Sequence, residues 1–124
     1  MAEQKATCCG GEVKTLVLAC SGGSNVGQVS NNVMVELDKK GLGSGFCLIG
    51  LGADLSGFVE STKTARTVLI DGCAVACGKK VFAKHGIEPS HYFVVTDFGI
   101  EKKHAFDTLA DETDRALGRI VPQI

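Results

Sequence analysis

Charge of one sign is missing from this chain. Thirteen Lys and Arg stand against fourteen Asp and Glu, for a net charge of −1, and no long run of either sign occurs. A surface for nucleic acid or for an anionic membrane needs a basic footprint, so neither partner is expected. Long hydrophobic runs are missing too: nothing approaches the roughly 20 residues of a membrane span. The opening MAEQKATCCGG is polar and lacks the apolar core of a secretory signal. These absences lead to the expectation of a cytoplasmic protein. No internal repeat and no second domain is visible in the 124 residues. A chain of this size buries roughly two-thirds of its unfolded surface, so it can fold without staples.

Two further absences concern one loop. The stretch ACSGGSNVGQ, residues 19–28, follows the apolar run Leu16–Val17–Leu18 and leads into a helical pattern. Strand, glycine-rich turn and helix is the layout of phosphate-binding loops. Gly22 and Gly27 have the spacing of the nucleotide P-loop, but Gln28 and Val29 stand where Lys and Ser or Thr would be. Without the lysine for the β- and γ-phosphates and the hydroxyl for Mg²⁺, nucleotide hydrolysis is disfavoured. Cys20 also has the place of a phosphatase nucleophile at the end of a first strand. Six residues on, however, the chain has Val26 instead of Arg. The bidentate partner of an oxyanion is then missing. An anion at the helix N-terminus remains possible, while phosphatase chemistry is disfavoured.

What the chain does have is cysteine, at positions 8, 9, 20, 47, 73 and 77. In a reducing compartment these are thiols or metal ligands sooner than disulfides. One or two would serve as small buried hydrophobes. That reading explains poorly why three border turns. Cys73 and Cys77 lie four apart at the start of an expected helix, which places both on one face and favours their thiolates. With Cys20 and Cys47 they make four soft ligands, a set that suits Zn²⁺ and also serves iron–sulfur clusters.

The elements follow from periodicity. Residues 1–13 read as a flexible lead-in, and 14–124 as one α/β domain. KTLVLAC, 14–20, is a buried strand. A helix follows over about 25–40, with Val26, Val29, Val33 and Leu37 on one face. Residues 43–55 are ambiguous between strand and helix. A short helix is expected around 55–65, with Leu55, Phe58, Val59 and Thr62 on one side. The remaining expectations are a strand at 67–71, a helix from Cys73 to His85, a strand at 91–99 and a helix at about 104–119 facing inward through Phe106, Leu109, Thr113 and Leu117. Strands alternating with helices predict a small three-layer αβα sandwich with a mainly parallel sheet, Rossmann-like or flavodoxin-like. Sites in such folds form at the carboxyl ends of strands where the strand order reverses. Cys20, Asp71–Gly72–Cys73 and Asp97 all fall at such ends.

Together these residues resemble the DGC domain family, named for its central motif, here Asp71–Gly72–Cys73. The likeness rests on CSGGSNVGQ at 20–28, CLIGLGA at 47–53, IDGCAVACGKK at 70–80 and FGIEK at 98–102. It covers about residues 14–104. The family is described as zinc-binding through four cysteines, and the resemblance places those ligands at Cys20, Cys47, Cys73 and Cys77. It implies a metal more than a reaction.

Around the cysteines, Ser21, Ser24, Asn25, Gln28 and Asp71 are candidates to support the metal or bind a ligand. Ser24 and Asn25 are equally at home as helix caps. Asp71, like Asp97, can orient its loop by accepting backbone N–H bonds, the commoner role, or act as a base. Lys79 and Lys80 can offset thiolate charge, or form a solvated face. His85, His91 and His104 have no metal spacing and read as surface or capping residues. Gly72 and Gly78 read as points of close packing. Cys8 and Cys9, outside the family likeness, are either incidental or a replacement ligand or resolving thiol. The leading expectation is one Zn²⁺ at the carboxyl edge of the sheet, in a sensing, carrier or catalytic role toward a small molecule or protein. The alternative is a thiol redox or transfer enzyme using Cys73, Cys77 and Cys20. A third reading is a zinc-ordered protein-interaction module.

Overall fold

Strand β1, Thr15–Ala19, is buried along its whole length, and its side chains divide by period two. Val17 and Ala19 enter one core with the helix residues Val26, Val29, Val33 and Leu37. Leu16 and Leu18 enter a second core with Leu51, Leu69 and Phe82. A strand buried on both faces is the mark of a sheet covered by helices on both sides. A computed structural model describes residues 13–124; the lead-in carrying Cys8 and Cys9 lies outside the described residues.

The sheet is four-stranded, in the order β2-β1-β3-β4, where β2 is Ser44–Gly45, β3 is Arg66–Asp71 and β4 is His91–Val94. All pairings are parallel, and β1 meets β3 in register from Thr15–Arg66 to Ala19–Ile70. The expected α/β sandwich is therefore the fold. Helix α1, Asn25–Lys39, carries the chain from β1 outward to β2. The next crossover must return over β1 to reach β3. Two right-handed crossovers running in opposite directions place their helices on opposite faces. Accordingly α1 and α5, Leu109–Ile120, cover one face. Helices α2, Leu48–Gly52, α3, Ser56–Lys63, and α4, Cys77–Lys84, cover the other. The strand order reverses between β1 and β3, so the crevice opens at their carboxyl ends.

Helix α1 matches its expected span. Ser24 is its N-cap, accepting from Gly27 N–H at 3.2 Å. Val26, Val29, Val33 and Leu37 are at most 1% exposed, and burying each contributes roughly 1.5–3 kcal/mol.

Four expectations need correction. The ambiguous stretch 43–55 is both things in turn: a two-residue strand pairing with β1, then α2. The strand expected over 91–99 ends at Val94 and passes into a 3-10 turn, Val95–Phe98. The last helix starts at Leu109, and Phe106 is exposed, as is Leu55 before α3. Finally, the helix expected from Cys73 begins only at Cys77. Its cause is Asp71, whose carboxylate takes the N–H groups of Gly78 and Lys79. Those donors would otherwise bond back to carbonyls of a longer helix; an acidic side chain competing for them stops it. Ala76 stands between, in the left-handed region at φ 57°.

Candidate functional site

Cys20 leaves β1 with its N–H still bonded to Ile70 O at 2.9 Å, one step beyond the strand. The chain then turns through Ser21–Gly23 into α1. Two close approaches build this turn. A side chain at Gly27 would meet the backbone of Gly22 at 2.6 Å, and one at Gly72 would meet Val26 and Gly27 backbone at 2.9–3.0 Å. Only glycine lets the three strand-end segments stack backbone against backbone. Gly22 N–H points at Cys20 Sγ, 3.4 Å away. Gln28 braces the turn by donating to Gly22 O at 2.9 Å and Ser21 O at 3.3 Å. Ser30 closes it from beneath, its hydroxyl bonded to Cys20 O and Gly27 O.

Asn25 is not in the crevice. It is fully buried, and its side chain donates to Glu101 O at 2.9 Å and Glu112 Oε1 at 3.3 Å, while accepting from Lys103 N–H at 2.6 Å. Glu112 is also buried, and is held by Thr108 Oγ1 at 2.9 Å and Lys103 Nζ at 3.8 Å. Asn25 thus ties the start of α1 to α5 and to the segment between. Of the five supporting candidates, Ser24, Asn25 and Gln28 shape the loop, and Ser21 lies on the cavity described below.

Asp71 also acts through the backbone. It is 1% exposed; Oδ1 accepts from Gly78 N–H at 2.8 Å, and Oδ2 accepts from Lys79 N–H at 3.0 Å and Tyr92 Oη at 2.8 Å. The carboxylate caps the start of α4 from the end of β3, where the helix dipole favours negative charge. Burial, then the bond to Asp71, pushes the Tyr92 hydroxyl well above the usual tyrosine range. The Lys79 ammonium lies 4.9 Å from the centre of the Tyr92 ring. Asp97, by contrast, is exposed in the 3-10 turn.

The four cysteines are free and divide three to one. Cys20, Cys47 and Cys77 line one cavity of about 900 Å³, together with Ser21 and Asn31. Its wall is Met34, Phe46, Leu48, Ile49 and Val81. Cys73 is not on that cavity. It packs against the α1–α5 core, with Lys102 Nζ 3.5 Å from its sulfur. Cys77 occupies the first turn of α4, while Cys73 sits in the preceding turn, so the two do not share the helix start expected for both. Among the described residues, no three His, Cys, Asp or Glu side chains are gathered into a metal cage. The histidines keep to structural places: His85 Nε2 contacts Leu51 O at 2.9 Å and Asp54 at 3.1 Å, His104 Nδ1 contacts Gly23 O at 3.3 Å, and His91 stacks on Phe93.

Sequence reasoning did not find Tyr92, Ser30, Glu112, Lys102 or the apolar wall. Tyr92 lies far along the chain from the carboxylate it holds, and Ser30 reads as an ordinary residue of its helix. Phe46–Leu51 carried a signal, but an apolar run reads as core unless an exposed member is known. Ile49 is 75% exposed.

Parallel strands, a reversal of strand order and thiols on the crevice at that point define a doubly wound α/β protein with a cysteine-lined cavity. Comparison gives the family: the DGC domain model matches residues 16–120, and the chain belongs to that family. The chain is similar to the anaerobic and virulence modulator AnvM of Pseudomonas aeruginosa, 34% identical over 101 residues, which cover 81% of this chain and 77% of the relative. No solved structure matches. No helix among the described residues is long and apolar enough to cross a membrane.

Proposed function

We propose that the protein binds one Zn²⁺ through cysteine thiolates at the carboxyl edge of its sheet, in a regulatory role. The observation that carries this reading is the meeting of Cys20, Cys47 and Cys77, from three separate segments, on one cavity. Thiolates are the soft donors that zinc takes, so the donor chemistry fits the group. Cys73, one turn before Cys77, is the fourth ligand of the set that the family likeness implies. Cys20, Cys47, Cys73 and Cys77 would hold the metal, and their side chains would have to close around it. Bound there, zinc supplies a Lewis-acidic, thiol-tethering centre. The chain's own residues do the rest: Asp71 and Tyr92 fix the start of α4 and with it Cys77, and Gly22 N–H steadies the Cys20 sulfur. The relative is named a modulator, which supports a regulatory reading over a metabolic one.

The test is metal content by plasma mass spectrometry, on untagged protein purified under reducing conditions without added metal. One zinc per chain, lost in Cys77→Ser, is expected. No metal, with all thiols reactive, overturns the reading. Thiol redox chemistry is the second reading, and its observation is the Lys102 ammonium 3.5 Å from the Cys73 sulfur. It requires Cys77→Ser to trap a mixed disulfide at Cys73 in the presence of a disulfide substrate; failure to trap one counts against it.

A further inference from the structure

The cavity is more than a cysteine cluster needs. Its volume of about 900 Å³ lies near the top of the roughly 300–1,000 Å³ typical of small-molecule sites. None of its lining residues is Asp, Glu, Lys, Arg or His. An anionic ligand such as a nucleotide would give up its hydration and meet no cation in return, a cost without compensation. Apart from the thiols, Ser21 and Asn31, the side chains that bound the cavity are apolar, and they include Met34, whose unbranched thioether adapts to irregular shapes. Ile49 projects an apolar surface that no neighbour covers, at 75% exposure. Asn31 is the one amide on the wall, and its side chain has no hydrogen-bond partner among the described residues.

We propose that this cavity binds an uncharged, largely apolar small molecule, seated against Met34, Phe46, Ile49 and Val81, oriented by the Asn31 amide and adjoining Cys20, Cys47 and Cys77. Cys73 is outside it. The proposal goes beyond the zinc reading and stands without it: the apolar wall recognises the body of the ligand whether the thiols are free or hold a metal. It gives the crevice a ligand class where the thiols alone give only a reactivity.

The test titrates the protein as purified, under reducing conditions, with the uncharged fluorophore phenylnaphthylamine and with its sulfonated, anionic counterpart. Saturable binding of one neutral probe per chain is expected, about tenfold or more tighter than the anionic probe. Ile49→Lys and Met34→Lys each weaken it by about tenfold, because the probe must then desolvate a charge. Circular dichroism and thermal melts show which variants are folded; Ile49 is exposed enough for its lysine to be tolerated. On protein stripped of metal, the bound probe slows alkylation of Cys47 and Cys77 and leaves Cys73 unaffected. Absence of saturable binding, equal binding of the anionic probe, native-like lysine variants that both bind as before, or equal protection of Cys73 each overturns the proposal. Zinc content is read separately, so failure here leaves the metal reading standing, and the reverse.

Discussion

The two flanks of the crevice are built on opposite plans. On the α1–α5 flank, polar groups are buried and paired: Asn25 joins Glu101, Lys103 and Glu112, and Glu112 is held in turn by Thr108. On the side facing α2 and α4, the cavity wall is largely apolar and open, and the polar side chains that reach the cavity are thiols, the Ser21 hydroxyl and the Asn31 amide from α1. Both flanks carry residues that sequence reasoning nominates for function. The difference between them is satisfaction. A buried polar side chain with its bonds filled holds a fold together, because losing a partner leaves the full desolvation cost. A reactive group in an uncovered apolar hollow is free to meet a ligand.

This contrast breaks most readily at Asn25. Asn25→Ala removes its hydrogen bonds and strands the buried Glu112 carboxylate and the Lys103 N–H. A loss of roughly 3 kcal/mol or more is expected, read as a lower urea midpoint. A loss below about 1 kcal/mol would show that this flank is not the structural one.

Next is Asp71→Asn, which sits between the flanks. The amide has one acceptor oxygen where the carboxylate has two, and its NH₂ must face a donor. About 2–3 kcal/mol is expected, together with faster alkylation of Cys77 than of Cys20 as the start of α4 loosens. Equal acceleration of both would show general destabilisation and no positioning of Cys77.

Tyr92→Phe is smaller, about 1.5 kcal/mol near pH 8 for one part-buried hydrogen bond to a charged group. It has a pH signature of defined sign. The folded state holds the Tyr92 proton more tightly than the unfolded chain does. Its contribution is therefore complete below about pH 10, the ordinary tyrosine value, and is lost as pH rises toward the folded value. The variant should show a shallower alkaline fall in stability than the parent, in denaturant titrations at pH 8, 10 and 11. Parallel curves would separate Tyr92 from Asp71.

Smallest is Cys47→Ser. Cys47 is exposed, so stability without metal should stay within about 0.5 kcal/mol of the parent. Its zinc content should nonetheless fall. A large thermal shift in the metal-free protein would place Cys47 on the structural side of the comparison.

Much of the frame was legible in advance. Val26, Val29, Val33 and Leu37 repeat at helical spacing and all face the core. Leu16 to Ala19 and Thr67 to Asp71 are strands without exposed members after Arg66. Ser24 caps the helix that it precedes. The errors fall where a distant group intervened. Leu55 and Phe106 carry the right hydropathy, yet the core does not cover them, and Phe106 packs only edge-on against His104 among the aromatic rings. The start of α4 was misplaced because its deciding group, the Asp71 carboxylate, acts across a turn that local propensity does not see. That error mattered for the site. It had put Cys73 and Cys77 on one helical face, whereas Cys77 lines the cavity and Cys73 faces Lys102.

The sequence by itself determined the elements, the parallel α/β class, and the arrival of cysteines at the ends of strands. Periodicity, glycine at close approaches and the order of elements are local or topological facts, and they are written along the chain. Tertiary structure alone decided which cysteines share a cavity, that Asn25 is a buried tie, and that the crevice wall is largely apolar. Those outcomes depend on which face of the sheet each crossover helix takes, and on which side chains remain uncovered once both faces are packed. Burial and partnership are properties of surfaces that meet only in the folded molecule.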